Sequence, residues 1–184
     1  MKSFAKSKCA GFTLTELMLT IAVLGVLVSV GLPSFREMLR SAEIRSAAES
    51  VSNGLQRARA EAVARNARVK FVLGAGTSWT VDYVTKPVPL DPPLDTRAST
   101  EGSTNATLTA LAQDLATAAT TITYNQLGQV VTNADASLTL RRVNFAAAGS
   151  TRILRVSIAA GGSAKVCDPL LAAGSSPRAC PAVD

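Results

Sequence analysis

From Phe12 to Leu32 the only ionisable side chain is Glu16, a single carboxylate in an apolar run. A charge in an apolar layer is expensive, and in membrane segments such groups find a partner. The chemistry Glu16 offers is therefore recognition, a fixed anion that needs a cation. Catalysis has little to work with. The chain has no histidine, which removes the commonest general base and metal ligand. No glycine-lysine phosphate cradle occurs, and Asp82, Asp91, Asp95, Glu101, Asp114 and Asp135 are scattered singly. The expectation is a protein that is not an enzyme and has neither cofactor nor metal, with any assembly energy supplied by another protein. Toward the C-terminus Lys165, Arg178, Arg152 and Arg155 could form a basic cluster, each cation adding salt-dependent attraction to phosphates. They read equally as solvated strand and loop residues, and few aromatics are available for base stacking.

The elements that position these residues are set by periodicity. About 20 apolar residues rising 1.5 Å each cross a hydrocarbon core of about 30 Å, so residues 12–32 predict a membrane span anchored in the lipid bilayer. Lys2, Lys6 and Lys8 ahead of it hold the N-terminus in the cytoplasm by the positive-inside rule and send the rest of the chain to the periplasmic side. A discarded secretory signal carries its small-residue site after the apolar part; here Ala10-Gly11 precedes it. Cys167 and Cys180, exported and a short loop apart, favour a disulfide over two free thiols.

The helical period continues past the span, because Ile44, Ala48, Val51, Leu55, Ala58 and Ala62 recur at steps of three and four. Pro33 falls inside this helix and predicts a kink at the membrane surface, and Asn66 is suited to cap the end. Straight, Phe12 to Arg65 would measure about 80 Å, more than a compact domain can bury. Beyond Asn66 the period becomes two. Val69, Phe71 and Leu73, then Trp79, Val81 and Tyr83, flank Gly74-Ala75-Gly76 and read as a hairpin. Residues 85–119 carry Pro87, Pro89, Pro92 and Pro93 and then many threonines and alanines, which predicts an exposed loop with one short regular piece near Leu108 to Leu115. Strand patterns return at residues 121–124, 129–131, 138–145, 152–158 and 164–167. The predicted fold class is α+β, a long N-terminal helix, transmembrane and kinked, packed at its C-terminal half on one or two small antiparallel sheets.

Gly11-Phe12-Thr13-Leu14-Thr15-Glu16-Leu17-Met18, behind a basic leader, resembles the class III signal of type IV prepilins and type II secretion pseudopilins. The resemblance implies that a prepilin peptidase cuts between Gly11 and Phe12 and methylates the new amine of Phe12. The chain would then divide into a leader (1–11), a transmembrane and filament-core helix (12–32), the periplasmic half of the helix (33–66) and a β-rich head with a C-terminal disulfide loop (67–184). Losing three leader lysines would leave 16 basic against 13 acidic side chains, or +3 instead of +6, weak support for a polyanion partner. In that family the glutamate in the place of Glu16 attracts the N-terminal amine of a neighbouring subunit and sets axial register. Glu16 is four residues from Phe12 on the same helix, so its own amine is the competing partner.

Further on, Leu55-Gln56-Arg57-Ala58-Arg59-Ala60-Glu61-Ala62-Val63 with Arg65-Asn66 looks like the end of the long helix in FimT, FimU and GspH proteins. Ile122-Thr123-Tyr124, Leu127-Gly128-Gln129-Val130, Asn144-Phe145, Arg155-Val156-Ser157-Ile158 and Cys167-Asp168-Pro169 resemble the sheet and tail of the same group, leaving residues 85–119 unmatched. Membership implies a pilin-like fold, a minor component near a filament tip or in its initiating complex, and partners among major and minor pilins and the inner-membrane assembly machinery. Localisation would be the inner membrane, single-pass with a periplasmic head, then a pilus or a type II secretion pseudopilus; both use the same N-terminal chemistry. Some FimT proteins also bind DNA through a tail motif of glycine, arginine, any residue, arginine. This chain has Gly162, Ser163, Ala164 and Lys165 there, so only the glycine and the last charge match.

Overall fold

The computed structural model describes residues 11–101 and 103–181; the leader residues ahead of Gly11 lie outside these. One helix, α1 (Leu14–Ala64), precedes nine strands: β1 (Val69–Leu73), β2 (Trp79–Tyr83), β3 (Asp95–Arg97), β4 (Ala106–Ala112), β5 (Thr121–Tyr124), β6 (Val130–Val131), β7 (Leu140–Ala147), β8 (Leu154–Ile158) and β9 (Ala164–Cys167). The chain divides into two units, one up to Met38 and one from Leu39 onward.

In the first unit the helix is apolar and bare: every residue from 11 to 36 is exposed, with Leu17, Ile21, Leu24 and Val28 open along its length. The helix runs through Pro33, where a missing N–H leaves the carbonyl four residues back without its helical donor.

In the second unit the helix buries one face completely. Ile44, Ala48, Val51, Leu55, Ala58 and Ala62, the residues expected from spacing, are all at most 1% exposed. They join one core with the inner faces of two antiparallel sheets, of strand order β3-β2-β1-β5-β6 and β4-β7-β8-β9. Small side chains on this face let the sheet come close, and Gly54 is the limiting case. A Cβ there would lie 2.7 Å from the Phe71 ring and 3.0 Å from Trp79, while the Trp79 indole N–H donates to Ser50 Oγ at 2.8 Å. Gly54→Ala should gain about 0.5–1 kcal/mol of helix propensity but lose about 1–3 kcal/mol to overpacking. The expected net result is destabilisation, read as a lower denaturant midpoint; a midpoint equal to or above the parent's would show that the rings can retreat.

The helix ends as expected at Asn66, which takes the left-handed conformation (φ 49°). Ala67 N–H donates to the Ala62 carbonyl and Asn66 N–H to the Val63 carbonyl, the paired bonds of a Schellman end. Two arginines tie the helix to sheet turns: Arg40 Nη1 donates to the Gly149 carbonyl and Arg59 Nε to the Gly128 carbonyl, both at 2.9 Å.

The expected hairpin is β1–β2, registered from Val69↔Tyr83 to Leu73↔Trp79. The expectation for residues 85–119 is corrected in part: β4 overlaps the short regular piece expected near Leu108 to Leu115, whereas β3 lies in what was expected to be loop. β4 pairs with β7 along seven positions, burying Ala106, Ala110 and Ala112. Its alternation is made of alanine and threonine rather than large apolar residues, so the pattern was faint. Where β4 shifts register at Leu111/Ala112, Arg141 of β7 is left without an opposite residue, a bulge that places Arg141 and Arg142 side by side.

Candidate functional site

Two regions gather the residues singled out by sequence. The first is the start of α1. Thr13 and Glu16 bond reciprocally: Thr13 N–H donates to Glu16 Oε2 at 2.9 Å, Thr13 Oγ1 donates to the same oxygen at 2.9 Å, and Glu16 N–H donates to Thr13 Oγ1 at 3.3 Å. This is a capping box, in which a threonine N-cap and a glutamate three residues on satisfy each other's orphan groups. Sequence reasoning missed it, although threonine-x-x-glutamate ahead of an apolar run is its signature. Glu16 therefore has a local partner besides the two amines considered for it, and Gly11 and Phe12 precede the cap on a segment outside the helix.

The second region is the C-terminal edge of the second sheet. Cys167 at the end of β9 is bonded to Cys180, as expected. The enclosed loop is also held by backbone: Asp168 N–H donates to the Arg178 carbonyl at 2.7 Å, and Asp168 bridges Ala179. Closing a loop of 13 residues contributes on the order of 3 kcal/mol by chain entropy. Cys180→Ser should thus lower stability by up to about 3 kcal/mol, with amide exchange rising in the tail before the core. Uniform loss of protection across both sheets would show that the bond supports the whole head rather than the tail.

Of the four cations expected to cluster, the structure brings together two. Arg155 and Lys165 line a groove of about 340 Å³, which Arg152 and Arg178 do not line. Two arginines not foreseen, Arg141 and Arg142, complete it.

Comparison with known proteins now settles the family. The model of the family described as Type II transport protein GspH matches residues 47–162, well over half the chain. The chain belongs to the GspH family. A second family model, the prokaryotic N-terminal methylation motif, matches residues 6–32, so the chain carries the N-terminal signature of minor pilins and pseudopilins, a family of structural subunits. Its apolar helix and pilin motifs fit a membrane-anchored pilin with a periplasmic head. Among solved structures, it is similar to the type IV minor pilin FimU of Pseudomonas aeruginosa in two crystal forms. One is 20% identical with a TM-score of 0.47, over 66% of this chain and 90% of that one; the other is 21% identical with a TM-score of 0.49, over 67% and 87%. The GspH match begins in the buried half of α1 and ends before β9, leaving the disulfide loop and one wall of the basic groove to this chain's own tail.

Proposed function

We propose that this chain is a minor type IV pilin of the FimT/FimU kind, made as a prepilin and built into a pilus or its initiating tip complex. The single observation that carries this reading is the combination at the start of α1: Gly11-Phe12 precedes an apolar helix exposed from its start at Leu14 to Arg36, and Glu16 sits in its first turn. A simple anchor accounts for the apolar surface, and the capping box with Thr13 for a carboxylate in the first turn, but neither gives a reason for Gly11-Phe12 directly ahead of the span. In this reading residues 12–32 hold the stored subunit in the inner membrane and later pack in a filament core, where Leu17, Ile21, Leu24 and Val28 exchange lipid for protein contacts. Pro33 lets the helix bend at the membrane surface. The peptidase cuts after Gly11, Phe12 is methylated, and the amine of Phe12 becomes available to Glu16 of a neighbour. The match to the methylation motif over residues 6–32 supports this processing.

Immunogold labelling of sheared filaments tests the assignment: label on filaments is expected, and label confined to the inner membrane would leave only an anchored periplasmic protein. A second reading, a GspH-like minor pseudopilin, is favoured by the description of the matching family as a type II transport protein. Deleting the gene separates the two, since loss of pilus-dependent motility supports the pilin and retention of secreted enzymes inside the cell supports the pseudopilin.

A further inference from the structure

We propose that the groove formed by Arg142, Arg155 and Lys165, with Arg141 at its rim, is a docking site for an acidic segment of a partner protein subunit. The site is built by the second sheet. Arg142 on β7, Ser157 on β8 and Lys165 on β9 stand directly opposite one another in register, so they share one face, and the two cations are about 10 Å apart at the usual strand spacing. Arg155 lies two residues along β8 from Ser157 on the same face, which puts it about 8 Å diagonally from each of the two cations. The bulge in β7 adds Arg141, whose Nη1 donates to the Ile158 carbonyl at 3.3 Å. Arg155 is oriented by its Nε, which donates to Asn144 Oδ1 at 2.7 Å.

Among the described residues no carboxylate lines this groove, and the ion pairs of Arg57, Arg65, Lys86 and Arg97 lie elsewhere. Burial, and to a lesser degree the charge of Arg142, push the Arg155 guanidinium below its ordinary value, as loss of solvent and a neighbouring like charge both do to a cation. An incoming anion would face several cations held together by strand register, and guanidinium forks match carboxylates in a paired geometry.

The nature of the occupant is set by the rest of the wall. Leu115, Ile158 and Pro181 give the groove an apolar side, which suits a peptide that carries apolar side chains between its carboxylates. No aromatic ring among the described residues lines it, so it lacks the stacking platform that single-stranded nucleic acid uses. The cations form a compact cluster rather than a stripe, so few phosphates of a polymer could be neutralised at once. The filament-subunit reading enters only in naming the owner of the acidic segment.

The test needs no filament. Full-length protein in non-ionic detergent micelles is titrated into a fluorescein-labelled peptide of alternating glutamate and leucine, with a labelled oligothymidylate and inorganic phosphate as competitors. The peptide is expected to bind in a salt-dependent manner. The Arg142→Gln/Lys165→Gln pair should weaken it about tenfold or more, while Arg152→Gln/Arg178→Gln, outside the groove, should leave it unchanged; near-ultraviolet dichroism checks that each variant is folded. Absence of peptide binding, or equal binding by the groove variant, overturns the proposal. Tighter binding of oligothymidylate, or displacement of the peptide by phosphate at a similar concentration, overturns it too and assigns the groove to phosphate chemistry. Filament labelling can succeed while this fails, and the reverse, so the two readings are judged separately.

Discussion

Glu16→Ala should leave the chain cleaved and membrane-inserted yet reduce its entry into filaments by about tenfold or more, the scale of one lost charge-assisted hydrogen bond. The substitution removes two things. The capping box with Thr13 is lost, costing about 0.5–2 kcal/mol of local helix stability, and so is the anion that would meet a neighbour's amine. An apolar replacement also makes the span more soluble in lipid, so membrane insertion should not fall. Glu16→Gln separates the two contributions, because glutamine serves in a capping box as glutamate does but carries no charge. If the intersubunit charge pair governs assembly, Glu16→Gln fails as badly as Glu16→Ala. Near-normal amounts of the glutamine variant in sheared filaments would assign Glu16 to the cap alone.

Gly11→Trp is expected to be all or none. A peptidase cleft shaped for glycine before the cut has no room for an indole, and a clash of this kind discriminates more sharply than a lost contact does. The leader should stay attached, Phe12 should remain unmethylated, and filaments should lack the subunit. Intact mass of the membrane-extracted protein decides the matter: a species lacking residues 1–11 in normal yield would refute cleavage at this bond. The variant also checks the Glu16 argument, since an uncut chain never exposes the amine of Phe12.

The parts of this fold that were legible in the sequence are those whose signal is local. Large apolar residues at helical steps marked Ile44, Val51 and Leu55, and Asn66 marked the stop, because burial and left-handed backbone each select residue types directly. The β1–β2 hairpin was legible for the same reason, with strict alternation on both sides of a glycine-bearing turn. β4 was legible only as a short regular piece near Leu108 to Leu115, its type and extent hidden because alanine and threonine alternate without much hydrophobic contrast and four prolines precede them. The groove was legible only in part, since Arg155 and Lys165 were expected to cluster but Arg141 and Arg142 were not. Arg142, Arg155 and Lys165 become neighbours only through the pairing of three strands, and Arg141 joins them through a register shift. Strand register is a long-range property that no window of sequence contains.

The ties from Arg40 and Arg59 to the turns at Gly149 and Gly128 act as index pins. The helix face between them carries Ile44, Val51 and Leu55 among the smaller Ala47, Ala48 and Ala58, all buried, so its large side chains already oppose sliding. A slip of one residue carries each guanidinium about 1.5 Å along the axis and about 100° around it, which also breaks both arginine bonds at once and lifts Gly54 away from the Phe71 and Trp79 rings. The arginines and the glycine notch thus add a second set of stops to the one the core provides, as the teeth of a key add to the shape of its blade.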